Sequence, residues 1–96
     1  MYAVTVTFTI KEGQMGSFMP LMLQNARLSQ AREPECHQFD VCTETDRPNE
    51  VFLYELYSNA DAFQDHLKSA HFRSFDAEVT DMIATKQVCL YAQVVQ

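Results

Sequence analysis

Residues 50–75, EVFLYELYSNADAFQDHLKSAHFRSF, hold the pattern that decides the fold. The opening EVFLYELY alternates its side chains with period two and is rich in aromatic and aliphatic residues, which predicts a strand. Ser58 or Asn59 can cap a helix over residues 60–69, because a short polar side chain accepts a hydrogen bond from a free backbone N–H of the first turn. A further helix is expected over residues 72–83. The stretch therefore predicts one strand followed by two short helices.

Two more strands and a long helix precede this stretch, and one strand follows it. Residues 36–44 alternate again, and a turn at residues 46–49 joins them to the EVFLYELY strand as a hairpin. Residues 2–10 form another alternating, β-branched run. Between these strands the apolar period becomes helical, from about residue 13 to 32. A last strand is expected over residues 86–95.

The start of the long helix has two interpretations. Ser17 can be its N-cap, which places Pro20 in the first turn, where proline is tolerated. If the helix begins earlier, Pro20 lies inside it and should kink it. The sequence leaves both open.

The order β-α-β-β-α-α-β is that of the ferredoxin-like, split βαβ fold of the α+β class. It gives a four-stranded antiparallel sheet with helices on one face, in a single domain over residues 1–96. Phe52, Tyr54, Leu56, Tyr91 and Val95 cannot all face the helices, so both faces of the sheet are expected to carry apolar residues. A second copy of the sheet would cover the open face, and we expect a homodimer of the dimeric α/β barrel type. Assembly beyond the dimer stays open.

Composition excludes several classes of partner. The net charge of −6 argues against nucleic acid and anionic membranes, which both require basic surface. No apolar run approaches the roughly 20 residues of a membrane span, and the start, MYAVTVTFTI, lacks the positive region of a signal peptide. The three cysteines form no zinc-binding pattern and are expected to be reduced thiols, which predicts a cytoplasmic protein.

Polar residues interrupt three of the predicted apolar stripes. Asn25 lies on the long helix, Glu55 on the EVFLYELY strand and His66 on the 60–69 helix. Burying an unpaired polar group costs about 1–3 kcal/mol, so three of them on elements that should converge suggest a pocket between sheet and helices. Each could instead be a hydrogen-bonded core group, and Glu55 could pair in a dimer interface. His71, between the last two helices, is a fourth candidate.

No motif for a metal or a nucleotide cofactor is visible. His66 and His71 are five residues apart, and the His-Glu-x-x-His pattern of zinc proteases is absent. The two glycines do not form a phosphate-binding loop, so neither a metal nor an organic cofactor is expected. Four aromatic residues could wall a pocket for a flat substrate, although aromatic residues at such spacings also fill cores. They are Phe39, Tyr57, Phe72 and Phe75.

Two segments resemble a known family. Residues 33–41, EPECHQFDV, resemble the E-P-G-C-x-x-F-D-V segment of the antibiotic biosynthesis monooxygenase family, with Glu35 in place of the usual glycine of a turn. Residues 52–75 resemble its F-x-L-Y-E-x-Y…A-F-x-x-H…H-F-x-x-F segment, and residues 25–27, Asn-Ala-Arg, are also similar.

This resemblance implies a dimeric α+β barrel with a pocket in each protomer. Characterised members of the family include oxygenases that oxidise aromatic polyketides or quinols without metal or flavin, and a close branch isomerises a phosphorylated ketone. A related heme-degrading branch often uses a pocket tryptophan, which this chain lacks. By matching positions, the polar residues of the pocket would be Asn25, Glu55, His66 and His71.

The leading hypothesis is a cofactor-independent monooxygenase that acts on a small aromatic, quinol or enolisable substrate. Its first task would be proton abstraction, for which either His66 or His71 is suited, because the pKa of imidazole lies near neutrality. Glu55 could orient the base or act as one, and Asn25 could donate a hydrogen bond to an oxyanion. An isomerase of a small phosphorylated ketone needs the same enolisation. A non-catalytic small-molecule-binding dimer is the third possibility.

Overall fold

A computed structural model describes residues 1–96 of the chain as four strands and three helices, with a short 3₁₀ turn before the last strand. The elements are β1 (Tyr2–Ile10), α1 (Met15–Arg32), β2 (Cys36–Glu44), β3 (Arg47–Tyr57), α2 (Ala60–Lys68), α3 (Ala70–Val79), the 3₁₀ turn (Thr80–Met82) and β4 (Ile83–Tyr91). The strands form one antiparallel sheet in the order β2-β3-β1-β4. This is the α+β, ferredoxin-like fold that the sequence predicts.

Alternation along the strands sends one set of side chains toward the helices. In the β1–β3 register Val4 lies opposite Glu55 and Val6 opposite Leu53, so Glu55 is on the helix-covered face, among apolar neighbours. Helix α1 contributes the fully buried Phe18, whose ring meets Phe8 of β1 edge-on at 5.2 Å between ring centroids. The hydrophobic core therefore lies between the sheet and the helices.

Helix α1 begins at Met15, which decides between the two possible starts. Ser17 lies inside the helix, and Gln14 precedes it without a side-chain capping bond. Pro20 thus lies within the helix and not in its first turn. Because proline has no N–H, the carbonyl of Gly16 lacks its usual i→i+4 hydrogen bond. Gly13 has a φ of 81°, a left-handed conformation that reverses the chain between β1 and α1.

The β2–β3 hairpin is tighter than its sequence indicates. Strand β3 begins at Arg47, which pairs with Glu44 across a two-residue turn, so the predicted turn at residues 46–49 is wrong. Pro48 is tolerated in the strand because the pairing of β3 with β1 starts only at Glu50.

The last helix and the last strand begin earlier than predicted. The Ser69 hydroxyl accepts a hydrogen bond from the backbone N–H of Phe72, so α3 starts at Ala70 and is over by Val79. Strand β4 ends at Tyr91 rather than at residue 95. The physical reason is that β4 pairs only with β1, whose last partner for it is Ala3, opposite Tyr91. The capping prediction for α2 is confirmed for Asn59, whose side chain accepts from the N–H of Ala62.

The face of the sheet away from the helices carries the predicted apolar side chains except Val95, which lies beyond the end of β4. Phe52, Tyr54 and Leu56 of β3 alternate with the core residues, and Tyr91 of β4 shares their face through its pairing with Ala3. Phe52 is 36% exposed and Tyr91 51% exposed, whereas Leu56 is already covered within the chain. None of the helices combines the length and the apolar character needed to cross a membrane.

Candidate functional site

A cavity lies between the helix-covered face of the sheet and the three helices. Its volume is about 50 Å³, and it is partly open to solvent at its mouth. The cavity has room for a few water molecules and is smaller than the roughly 300–1,000 Å³ of a usual small-molecule site, so a substrate would have to extend out through the mouth. It is lined by Val6, Phe8, Met22, Asn25, Phe39, Leu53, Glu55, Phe63, His66, Leu67, Phe72, Phe75, Lys86 and Val88.

The structure brings together most of the residues that the sequence singled out. Asn25, Glu55 and His66 line the cavity from three different elements, and Phe39, Phe72 and Phe75 form part of its wall. His71 and Tyr57 do not line it, contrary to the prediction. His71 lies behind His66, with 6.0 Å between the ring centroids, and Tyr57 is fully buried beneath Glu55.

His66 is held by a carboxylate from the loop after α1. Its Nδ1 lies 2.9 Å from Oε2 of Glu33 and 3.5 Å from the hydroxyl of Ser29. Because a carboxylate only accepts hydrogen bonds, Nδ1 carries the proton, and the lone pair of the neutral ring is on Nε2. Nε2 makes no hydrogen bond within the chain, so it is the nitrogen that His66 can offer to a substrate.

Glu33 binds two histidines at once. Nε2 of His71 donates a short hydrogen bond to the same Oε2 atom that accepts from His66. Burial alone would raise the pKa of the Glu33 carboxyl, but the hydrogen bonds and charge of the two histidines outweigh it and lower this pKa. Glu33 therefore stays ionised near neutral pH and fixes the orientation of both rings.

Glu55 and Tyr57 form a second polar pair, at the floor of the cavity. The phenol of Tyr57 donates to Oε1 of Glu55 at 2.6 Å. Burial raises the pKa of Glu55, although the bond from Tyr57 and the charge of His66 oppose the rise. Burial, together with the charge of Glu55, raises the pKa of Tyr57 as well, so Tyr57 remains a donor. Glu55 is accordingly a better proton acceptor than an ordinary surface carboxylate.

Asn25 contributes an amide with unused hydrogen-bonding capacity. Its Oδ1 atom is buried and has no partner in the chain, whereas its backbone carbonyl accepts from the Ser29 hydroxyl at 2.8 Å. Leaving a buried polar atom unpaired costs about 1–3 kcal/mol. A ligand group that donates a hydrogen bond to Oδ1, such as a hydroxyl, would recover part of that cost.

Lys86 is the single cationic residue of the cavity lining. It is exposed on β4, and its Nζ lies 5.6 Å from the ring centre of Phe8 and 5.9 Å from that of Phe72. These cation–π contacts hold the ammonium over the mouth. A negative charge on a bound molecule would therefore be favoured at this end.

Cys36, near Glu33 and Glu55, does not supply a nucleophile. Burial, with the negative charge of these two carboxylates, raises the pKa of its thiol to about 12. The thiolate, which is the reactive form, is scarce at neutral pH. All three cysteines are free thiols in the structure.

The model of the antibiotic biosynthesis monooxygenase family matches residues 1–78, which is most of the chain. The chain belongs to this family. Its fold is similar to that of a protein described as "Putative antibiotic biosynthesis monooxygenase from Nitrosomonas europaea", with a TM-score of 0.92 and 26% identity over 99% of this chain and 100% of that one. No curated protein matches the chain significantly.

Two further solved structures show the same fold at lower identity. Rv0793 from Mycobacterium tuberculosis superimposes with a TM-score of 0.90, at 21% identity over 99% of this chain and 96% of that one. A Caulobacter crescentus protein with the same description as the Nitrosomonas one reaches a TM-score of 0.91, at 20% identity over 98% and 90% of the two chains.

Sequence reasoning about this member of the antibiotic biosynthesis monooxygenase family missed three polar residues of the site. Glu33 was visible only as part of the EPECHQFDV segment, and nothing in that segment pairs it with a histidine more than thirty positions away. Lys86 lies in a polar stretch of β4 that gives no sequence signal. Its pairing opposite Phe8 of β1 is what places it at the cavity. Ser29 is fully buried on α1, one turn beyond Asn25.

Replacing Glu55 with glutamine should raise the melting temperature by a few degrees at pH 8 and by less at pH 4. Since the folded-state pKa of Glu55 lies above its unfolded value, its favourable contribution is present at low pH and is lost as the pH rises through the folded pKa. Glutamine still accepts from Tyr57 but carries no buried charge. Thermal unfolding between these pH values measures the effect.

The matched control is Glu50→Gln on the same strand, where the half-buried carboxylate pairs with Arg47. It should produce no gain that grows with pH. Equal changes in melting temperature for the two variants at each pH would contradict the interpretation that burial destabilises the ionised Glu55 carboxylate.

Proposed function

We propose that the chain is a cofactor-independent oxygenase that uses His66 to deprotonate a small phenolic, quinol or enolisable substrate. The observation that carries this proposal is the state of His66. Glu33 holds its Nδ1–H, and the unpartnered Nε2 belongs to a ring that lines an otherwise largely apolar cavity. Membership of the antibiotic biosynthesis monooxygenase family supports the same activity.

The chemistry begins with proton transfer to Nε2 of His66. The Glu33 carboxylate stabilises the imidazolium that forms, because it already accepts the Nδ1–H bond. The amide of Asn25 can donate to the oxygen on which negative charge develops. The resulting electron-rich anion reacts with O₂. For an enolisable CH₂ group, one oxygen atom becomes a new carbonyl and the other leaves as water, so R₂CH₂ + O₂ gives R₂C=O + H₂O.

The walls of the cavity favour a flat, mostly apolar substrate. Phe39, Phe72 and Phe75 supply aromatic surface, and Lys86 supplies one positive charge at the mouth. Because the cavity is small, most of the substrate would lie in its open mouth beside Val88, which is 45% exposed.

Turnover of a panel of quinols, anthrols and phosphorylated ketones, with and without oxygen, tests the proposal. We expect products that carry one atom from ¹⁸O₂, detected by mass spectrometry, only under aerobic conditions. Conversion of a phosphorylated ketone at equal rates with and without oxygen would instead support an isomerase. Lys86 could then bind the phosphate group of that substrate. Binding without turnover would leave a small-molecule-binding protein.

We further propose that the protein works as a homodimer through the open face of the sheet. Wild-type protein should show about twice the 11.0 kDa chain mass in light scattering. Phe52→Lys should shift it toward the monomer, because it replaces a partly exposed aromatic side chain of that face with a charge. Leu23→Lys, at an equally exposed apolar residue on α1, is the control and should leave the mass unchanged. A monomeric wild type would refute the proposal.

The cytoplasmic location stays a prediction, consistent with the free thiols.

A further inference from the structure

Glu33, His66 and His71 form a cluster beside the cavity, and the proposed reaction uses only Glu33 and His66. Glu33, His66 and His71 each offer one ligand atom, and these atoms all lie within 4.8 Å of one another. The side chains are only 15%, 3% and 4% exposed. Three groups from separate elements are thus already gathered and desolvated around one carboxylate oxygen.

The geometry points to a divalent transition-metal site, formed by Glu33, Nδ1 of His66 and Nε2 of His71. Metal–ligand bonds of about 2.0–2.2 Å place neighbouring ligand atoms of a tetrahedral site roughly 3.3–3.6 Å apart. Nδ1 of His66 lies 2.9 and 3.2 Å from the two oxygens of Glu33, and no two of the three ligand atoms are more than 4.8 Å apart, so side-chain shifts of about 1 Å would bring all three onto one ion. Two imidazoles and one carboxylate suit Zn²⁺, Ni²⁺, Co²⁺ or Cu²⁺ rather than Mg²⁺ or Ca²⁺.

An entry route and open coordination positions are present on the outer side. Glu33 lines a surface depression of about 250 Å³, which also contains the exposed Glu35 and Asp65. These carboxylates, in a chain of net charge −6, outnumber the single cation of the depression, Arg32. A cation is therefore attracted to the opening, and water can complete its coordination.

Occupancy of this site would change what His66 can do. A metal on Nδ1 leaves the neutral ring with its proton on Nε2, so the nitrogen that faces the cavity becomes a donor and loses its basic lone pair. Binding should therefore inhibit proton abstraction, a consequence that rests on the proposed function, whereas the metal site itself does not.

Equilibrium dialysis of the purified chain against Zn²⁺, followed by elemental analysis, tests the site. We expect one Zn²⁺ per chain, with binding weakened about tenfold or more in His71→Ala and in Glu33→Gln, since each removes one ligand. His37→Ala is the control, because His37 is exposed and bonds only Ser58, so its loss should not matter. No binding, or equal binding by all variants, would overturn the proposal.

A measurement on the wild type guards against misfolded variants. Cu²⁺ bound at the site should show an electron paramagnetic resonance spectrum with splitting from two imidazole nitrogens, and a spectrum with one or none would overturn the assignment. Zn²⁺ that binds as expected but leaves turnover unchanged would support the metal site and count against His66 as the base. Absence of binding would leave the proposed function untouched.

Discussion

Replacing His66 with alanine should lower kcat by about 100- to 10,000-fold, the usual contribution of a general base. The His66 ring lines the cavity, with Nδ1 bonded to Glu33 and Nε2 without a partner in the chain. Steady-state kinetics on whichever substrate the panel identifies measures the loss.

Two further histidine variants make this result specific. His37→Ala should keep the wild-type rate, because His37 lies on the surface. His71→Ala should slow turnover far less than His66→Ala, since His71 touches Glu33 but does not line the cavity. This comparison decides which histidine is the base. A His66→Ala variant that melts lower but turns over at the wild-type rate would show that His66 is structural.

The Glu33→Gln variant distinguishes the positioning of His66 by Glu33 from the proton transfer that His66 itself performs. Glutamine keeps the size of the side chain but removes the charge that stabilises the imidazolium. We expect kcat to fall while KM changes little, and a smaller loss than in His66→Ala. A change confined to KM would contradict a positioning role for Glu33.

Replacing Phe18 with alanine should destabilise the fold by about 3–5 kcal/mol, the usual cost of emptying an aromatic core site. Phe18 is completely buried and meets Phe8 and Phe75 edge-on, at 5.2 and 5.9 Å between ring centroids. It thus joins α1 to β1 and α3. Denaturant unfolding monitored by circular dichroism measures the loss, and Leu23→Ala, at a 39% exposed position of the same helix, should cost much less.

The same substitution should also affect the site. Phe8 and Phe75 both line the cavity, so Phe18 is the residue that supports two of its walls from behind. We expect weaker substrate binding even at temperatures where the variant is folded. A stability loss below about 1 kcal/mol would contradict the central place of Phe18 in the core.

The candidate site was only partly predictable from the sequence. Asn25, Glu55 and His66 stand out because a polar residue within an apolar stripe must face the interior, whatever the details of packing. His71 was a candidate because of its place between the last two helices and its match to the family, and its ring turns toward Glu33 and away from the cavity. Periodicity reports the face of a residue but not the direction of its side chain.

Local sequence determined the order of the elements, the inward face of each strand and the α+β fold, because periods of 2 and 3.6 residues are set within a few neighbouring positions. Tertiary structure alone decided the partnership of Glu33 with His66 and the position of Lys86 over the cavity mouth. It also decided where β4 ends, since a strand stops where its neighbour does. These features depend on which distant segments pack together, and such contacts leave no periodic trace in the chain.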